Sequence, residues 1–121
     1  MMNLNIRVWD NEQHCFHYFD HLPLATELTS TESNRFILNL GTGFQDRLGK
    51  EVFVSDIAKG VVSVGCMKSS GQLGEIQYKP QYARYELRCS KLSVPLSLVQ
   101  DLEIVGNLFE HPQLLLADTA S

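Results

Sequence analysis

The chain has 121 residues and a formal net charge of −4, with 44% apolar and 20% charged residues. That length suits one ordinary domain with one core, and the composition is that of a globular chain rather than a disordered one. No stretch approaches the roughly 18 to 20 apolar residues needed to cross a bilayer, and residues 1–10 lack the basic and apolar regions of an export signal. We therefore expect a single soluble, cytoplasmic domain over residues 1–121, with no membrane partner.

The cysteines indicate the redox compartment, and the distribution of charge limits the kinds of partner. Cys15, Cys66 and Cys89 are odd in number and widely spaced, which favours reduced thiols in a cytosol. Residues 1–34 carry five acids and one base, residues 35–100 nine bases and five acids, and residues 101–121 four acids and no base. This pattern suits head-to-tail contacts between copies or one basic face for an acidic partner, and random surface scatter explains it equally well.

The first half of the chain is predicted to be mostly strand. Apolar and polar residues alternate over 4–9, a polar turn follows at 10–13, and an aromatic-rich second strand is expected at about 14–19. Residues 22–34 are predicted to be an exposed connection with a short helical turn near 25–28. The apolar run 35–40 predicts a central strand. A tight turn at 46–50 then leads into a short strand at 51–54.

The second half continues the all-β pattern. An extended segment over 56–66 is expected to end in a solvated loop at 68–71. The alternating runs 74–78 and 82–87 predict a hairpin that bends at 79–81. A helical turn is expected after Ser93, followed by a strand over 102–109, in which Gly106 is a candidate bulge. Pro112 suits the start of a last short helix through Leu116.

Four segments, taken in order, carry a resemblance to a known family. They are Arg7-Val8-Trp9-Asp10, the stretch from Thr42 to Phe53, Asp56-Ile57, and the stretch from Leu102 to Leu115. Together they resemble the YopX family of phage and prophage proteins, nearly from end to end. The chain departs from the family pattern at Phe44, where Leu is usual, and at Ser55, where Gly is usual. Residues 22–34 and 59–72 match no family motif.

The resemblance implies a mainly β fold of antiparallel strands, carriage by phages or prophages, self-assembly and no established biochemical activity. It supplies no catalytic residue. We interpret the motif residues as structural: Arg7, Trp9, Asp10, Thr42, Gly43, Asp46, Gly49, Glu51, Asp56, Gly106, Asn107 and Pro112. Trp9 is expected to anchor the core or a subunit contact. A hairpin followed by an Asp that binds backbone N–H groups also suggests a small SH3-like barrel element with one or two short helices.

Residues that could carry chemistry do not form a recognisable site in the sequence. His14, Cys15, His17 and His21 are close together, but zinc needs four ligands, usually from two clusters, and no second cluster of suitable spacing is present. Solvated histidines and a small apolar Cys15 are the plainer interpretation. No cysteine or serine has a His and an acid in a recognised arrangement. We therefore expect no cofactor and no enzyme activity.

One predicted hairpin interleaves aromatic and basic residues, namely Tyr78, Tyr82, Arg84, Tyr85 and Arg88. Plain sheet surface, a protein interface, and a site that stacks and contacts single-stranded nucleic acid all fit this pattern. The sequence favours a phage-encoded, non-catalytic protein-interaction module that forms a homo-oligomer or binds a phage or host protein. The alternative is a nucleic-acid-binding module that uses this hairpin, which the acidic net charge disfavours.

Overall fold

The computed structural model describes residues 5–19, 35–64, 67–90 and 92–115, and they are mainly β, as predicted. The strands are β1 (Ile6–Asp10), β2 (Cys15–Phe19), β3 (Phe36–Gln45), β4 (Glu51–Phe53), β5 (Asp56–Val64), β6 (Met67–Lys79), β7 (Arg84–Cys89), β8 (Ser93–Pro95) and β9 (Val99–Asn107). They form one sheet in the order β2-β1-β3-β4 and a second in the order β8-β7-β6-β5-β9. The chain divides into two compact units, residues 1–41 and 42–121, which are described separately.

In the first unit, β1 lies between β2 and β3 and is antiparallel to both. All five of its residues are buried. Trp9 is buried and packs edge-on against Phe16 across the β1–β2 pair, with ring centroids 5.0 Å apart. Trp9 is therefore part of the buried apolar interior of this unit, the first of the two roles predicted for it.

The second unit is built around the antiparallel sheet β8-β7-β6-β5-β9. Its core contains a cluster of small and branched apolar residues from six elements: Val52, Ala58, Ile76, Leu87, Cys89, Leu96 and Leu102. The predicted hairpin is formed by β6 and β7, with Ile76 directly opposite Leu87. Since opposed residues share a face, this pair places the apolar side of the hairpin in the core.

Two expectations about this unit are corrected. Residues 68–71 lie in β6 rather than in a loop, because pairing with β5 satisfies the backbone of this polar stretch, with Ser69 opposite Val62. The SH3-like barrel element is not found among the described residues. The sheet stays open there because β8 has only three residues and the far edge of β9 bonds to Arg47, whose N–H donates to the carbonyl of Leu102 at 2.7 Å.

The helical expectations have mixed outcomes. A 3₁₀ turn, Leu96–Leu98, follows Pro95, close to the predicted helical turn after Ser93. Residues 113–115 are helical, as predicted after Pro112, at the limit of the described residues. The turn predicted near 25–28 lies outside the described residues. Within the described ranges, no helix is long and apolar enough to cross a membrane.

Candidate interaction surface

The β6–β7 hairpin distributes the predicted aromatic and basic residues over two faces. Tyr78 is directly opposite Tyr85, on the same side of the sheet as the core pair Ile76 and Leu87. The two tyrosine rings are 5.2 Å apart, and Tyr85 packs against the core cluster. Arg84 and Arg88 alternate with these residues and so project from the opposite face. The five residues therefore do not form one continuous stacking surface.

The tip of the hairpin brings together one aromatic residue and one base. The guanidinium carbon of Arg84 is 4.7 Å from the centroid of the Tyr82 ring, and Tyr82 is exposed. Arg84 Nε also donates to Glu86 Oε2 at 2.7 Å, and the Ser93 hydroxyl donates to Glu86 Oε1 at 2.7 Å. The Ser93 hydrogen bond, together with Arg84, lowers the pKa of Glu86 despite its burial. Arg84 is thus already paired with a carboxylate.

Arg88 is in a similar electrostatic environment. It lies directly opposite Glu75 on the exposed face of the β6–β7 pair, where facing side chains are close enough to interact. The two acids, Glu75 and Glu86, therefore offset the charges of the two arginines, Arg84 and Arg88. This arrangement resembles an ordinary charged sheet face more than a groove built for phosphates.

The histidine and cysteine segment forms part of a hydrogen-bonded cluster around Asp10. Asp10 is 1% exposed, and Arg35 donates to both of its oxygens, from Nε at 3.1 Å and from Nη2 at 3.2 Å. The backbone N–H groups of Glu12 and Gln13 donate to Asp10 Oδ1 as well. The Arg35 bonds hold the pKa of the Asp10 carboxyl far below its usual range. This carboxylate closes the β1–β2 turn.

Cys15 and His17 share one face of β2, as predicted. Cys15 Sγ is 3.9 Å from His17 Nε2, and the same Nε2 atom is 3.3 Å from Asp10 Oδ2. In a catalytic triad, the nucleophile and the acid contact different ring nitrogens of the histidine. Here both contact one nitrogen, which does not suit proton relay. No group of three metal-ligand residues was found among the described residues, and His21 lies outside them.

Three aliphatic residues of β3 are exposed in the first unit. Ile37, Leu38 and Leu40 are 38%, 46% and 41% exposed. Leu38 and Leu40 share a face with the fully buried Val8 and Ile6, which lie directly opposite them on β1. The apolar run 36–40 is thus a strand, as predicted, but two of its leucines are open to solvent. Period-two alternation alone indicates an apolar face and does not reveal whether that face is covered.

A comparison with protein-family models tests the family resemblance that the four motif segments carry. The model of the YopX family, described as YopX protein, matches residues 5–116, nearly the whole chain. The chain belongs to the YopX family. No curated protein matches the chain. The contacts of the YopX motif residues in this structure are therefore contacts made by a member of the family.

The YopX hairpin motif places Asp46 at the centre of a turn that closes a sheet edge. Asp46 Oδ1 accepts the N–H groups of Leu48 and Lys50, both at 2.9 Å, and Oδ2 accepts the N–H of Ile104 on β9 at 3.2 Å. Burial alone would raise the pKa of Asp46, but these N–H groups outweigh it and lower the pKa. Gly49 supports the turn with a φ of +84°, a conformation that glycine adopts readily.

Other residues of the same YopX motif support β3 and β4. The Thr42 hydroxyl donates to the carbonyl of Val52 at 2.7 Å and accepts the N–H of Phe44. Gly43 has a φ of +83°, and Glu51 begins β4. Arg7, from the opening motif, is buried. Its Nε donates to Asn39 Oδ1 at 3.3 Å, and its guanidinium carbon is 4.3 Å from the centroid of the Phe16 ring.

The YopX Asp-Ile motif forms the turn between β4 and β5. Asp56 is buried, and its Oδ2 accepts the N–H of Phe53 at 2.8 Å, in agreement with the predicted structural role. Ser55 has a φ of +76°, in the left-handed region. The backbone conformation that the family pattern assigns to Gly is therefore retained here by a Ser, at some cost in strain.

The closing YopX motif makes a compact turn after β9. Asn107 Oδ1 accepts the N–H groups of Phe109 and Glu110, and the N–H of Asn107 donates to His111 Nδ1 at 3.3 Å. A side chain on Gly106 would meet the His111 ring at 2.8 Å, so this position needs glycine for the close approach. The bulge predicted at Gly106 lies one residue earlier: the register skips Val105 between Ile104 and Gly106. Pro112 is exposed at the start of the helical residues.

Proposed function

We propose that this YopX-family chain is a phage- or prophage-encoded, non-catalytic protein-interaction module that self-associates in the bacterial cytoplasm. The observation that carries the proposal is the exposure of three apolar residues of β3: Leu38 and Leu40 on one face and Ile37 on the other. Clustered exposed apolar residues on a folded protein typically mark a contact surface. A homo-oligomer or a phage or host protein would cover them.

The buried carboxylates support a structural rather than a catalytic role. Asp10 is bonded to Arg35 and two backbone N–H groups, Asp46 to three backbone N–H groups, and Glu86 to Ser93 and Arg84. A general acid or base needs a pKa near the working pH. The pKa of each of these three groups is lowered instead, away from neutrality.

Light scattering coupled to size exclusion, with absorbance at 260 and 280 nm, tests this proposal. We expect a defined oligomer free of nucleic acid at both low and high salt, because an apolar contact is weakly screened. A protein that stays monomeric at every concentration and retains no partner in a pulldown would overturn the proposal.

The alternative function, binding to single-stranded nucleic acid, depends on the exposed tip where Arg84 lies over Tyr82. Aromatic stacking combined with a base suits such a ligand. The pairing of Arg84 with Glu86 and the position of Glu75 opposite Arg88 weigh against it. A salt-dependent gel shift that weakens in Arg84→Ala and Arg88→Ala would establish the alternative, and no binding at low salt would end it.

A further inference from the structure

The first half of β3 has one hydrogen-bonded edge and one edge that faces away from β1. The N–H of Gly41 donates to the carbonyl of Asn5, and the N–H of Asn11 donates to the carbonyl of Arg35. In an antiparallel pair, hydrogen-bonded and non-hydrogen-bonded residue pairs alternate. The odd-numbered residues of β3 therefore bond to β1, and the backbone groups of Phe36, Leu38 and Leu40 are directed to the other edge.

The described strands leave this edge without a partner over residues 36–40. The only other neighbour of β3 in the sheet order is β4, which has three residues. β4 lies beside the second half of β3, because Thr42 bonds to Val52 and the N–H of Asp46 donates to the carbonyl of Lys50. We call residues 36–40 the β3 edge.

Two of the devices that prevent strands from pairing between molecules, charged residues and proline, are absent from the β3 edge. Natural edges carry charged residues, proline or a covering loop. The whole strand Phe36–Gln45 contains no charged residue and no proline. One local bond does engage the edge, since Asn39 Nδ2 donates to the carbonyl of Leu38 at 3.1 Å. A carbonyl oxygen has a second lone pair, so this bond leaves room for another donor.

The edge is also complementary to itself. If two copies pair antiparallel with Leu38 opposite Leu38, then Phe36 lies opposite Leu40 in both directions. The three outward residues of each strand then exchange about six hydrogen bonds, and every facing pair on that side is apolar. This is the symmetry that a two-fold dimer interface requires.

We propose that two copies of the chain dimerise by antiparallel pairing of their β3 edges, with the two-fold axis at Leu38. The proposal rests on the proposed function, because it specifies how the chain self-associates. The contact extends the sheet of the first unit from one copy into the other. It buries Leu38 and Leu40, which are otherwise 46% and 41% exposed.

A substitution at the axis tests the proposal in the full chain. Leu38→Lys places two ammonium groups opposite each other and is expected to weaken dimerisation by about tenfold or more. Leu98→Lys is the matched control, since Leu98 is 58% exposed in the second unit and lies outside β3. Light scattering over a concentration series should find dimers for the wild type and Leu98→Lys and monomers for Leu38→Lys. Trp9 fluorescence, the only tryptophan signal, verifies that the first unit is folded.

Amide exchange of the wild type gives a test that needs no variant. The N–H groups of Phe36, Leu38 and Leu40 should exchange more slowly as concentration rises, whereas those of Ile37 and Asn39, already bonded to β1, should not change. Equal dimerisation of the wild type and Leu38→Lys, or no such protection in a populated oligomer, would overturn the edge assignment alone. A wild type that never associates would overturn both this assignment and the proposed function.

Discussion

The strands β9 and β3 each present an edge beyond their sheet partner, and the molecule treats the two edges differently. The β9 edge is closed by the turn that carries Asp46: the N–H of Arg47 donates to the carbonyl of Leu102, and Asp46 Oδ2 accepts the N–H of Ile104. Arg47 also pairs with Glu103 at 3.3 Å. The β3 edge has no such covering turn among the described residues.

This difference indicates that the chain blocks the β9 edge from pairing with another strand and leaves the β3 edge able to pair. At the β9 edge, a buried acid and a backbone N–H from the turn bond to the strand's backbone, and an ion pair holds the turn against it. The β3 edge, by contrast, carries three outward apolar residues, and a single asparagine amide bonds to one of its backbone carbonyls. A protected edge has a structural role only, whereas an unprotected apolar edge is a site where a partner strand can bind.

Acid is expected to have the largest effect, because Asp10 and Asp46 both bind protons more readily in the unfolded chain than in the fold. The pKa of each is lowered in the fold, so its stabilisation is complete above the unfolded pKa of about 3.9 and is lost as pH falls below that value. Both units should unfold at lower urea concentration at about pH 3 than at about pH 7. Trp9 fluorescence follows the first unit and exchange of the Ile104 amide follows the second. An unchanged midpoint in both would contradict the prediction.

Asp46→Asn is expected to open the β9 edge specifically. The amide has one oxygen for three N–H donors, so at least one buried N–H faces a donor, and we expect a loss of about 2 to 3 kcal/mol in the free energy of unfolding. Asp101→Asn is the matched control, because Asp101 is exposed with a φ of +53°, which Asn tolerates. Urea unfolding measures both, and equal midpoints for the two variants would remove Asp46 as the closing residue.

Gly106→Ala tests the end of β9, where the His111 ring lies against the strand. The added methyl group overlaps the ring, and we expect a loss of about 1 to 2 kcal/mol. The double variant Gly106→Ala with His111→Ala removes the overlap and should recover part of that loss as a coupling energy of about 1 kcal/mol. Strictly additive effects in urea unfolding would show that the ring does not require the glycine.

Ser55→Gly is expected to have the smallest effect, and in the opposite direction. Glycine relieves the left-handed strain at Ser55 but costs more backbone entropy, so the net gain is about 0.5 to 1 kcal/mol. The backbone bonds of this turn, from Ser55 to Ile76 and from Leu108 to Ser55, are kept. Thermal unfolding monitors the change, and a destabilised variant would mean that the Ser side chain contributes more than its strain.

Much of the fold could be predicted from residue periodicity because the strands alternate clearly. The β6–β7 hairpin and the β1–β2 pair follow from local patterns, and the turn role of Asp46 follows from its spacing to Gly49. Residues 68–71 could not be predicted as strand, because their polar composition indicates a loop and only pairing with β5 overrides it.

The candidate surfaces were harder to predict because they depend on long-range register. Asp46 bonds to Ile104, 58 residues away, and no local pattern announces that partner. The hairpin residues Tyr78 and Arg84 fall on opposite faces only once their register is known. The apolar period of β3 was evident, but whether its leucines are covered depends on what packs against the sheet.

The two partner strands of β5 are synthesised at different times. Its partner β6 follows at once in the chain, whereas β9 begins at Val99, after β8 and the 3₁₀ turn. A ribosome that adds about 5 to 20 residues per second needs about 2 to 7 seconds to make the intervening residues 65–98. During that interval the edge of β5 that later pairs with β9 has no partner among the described strands already made.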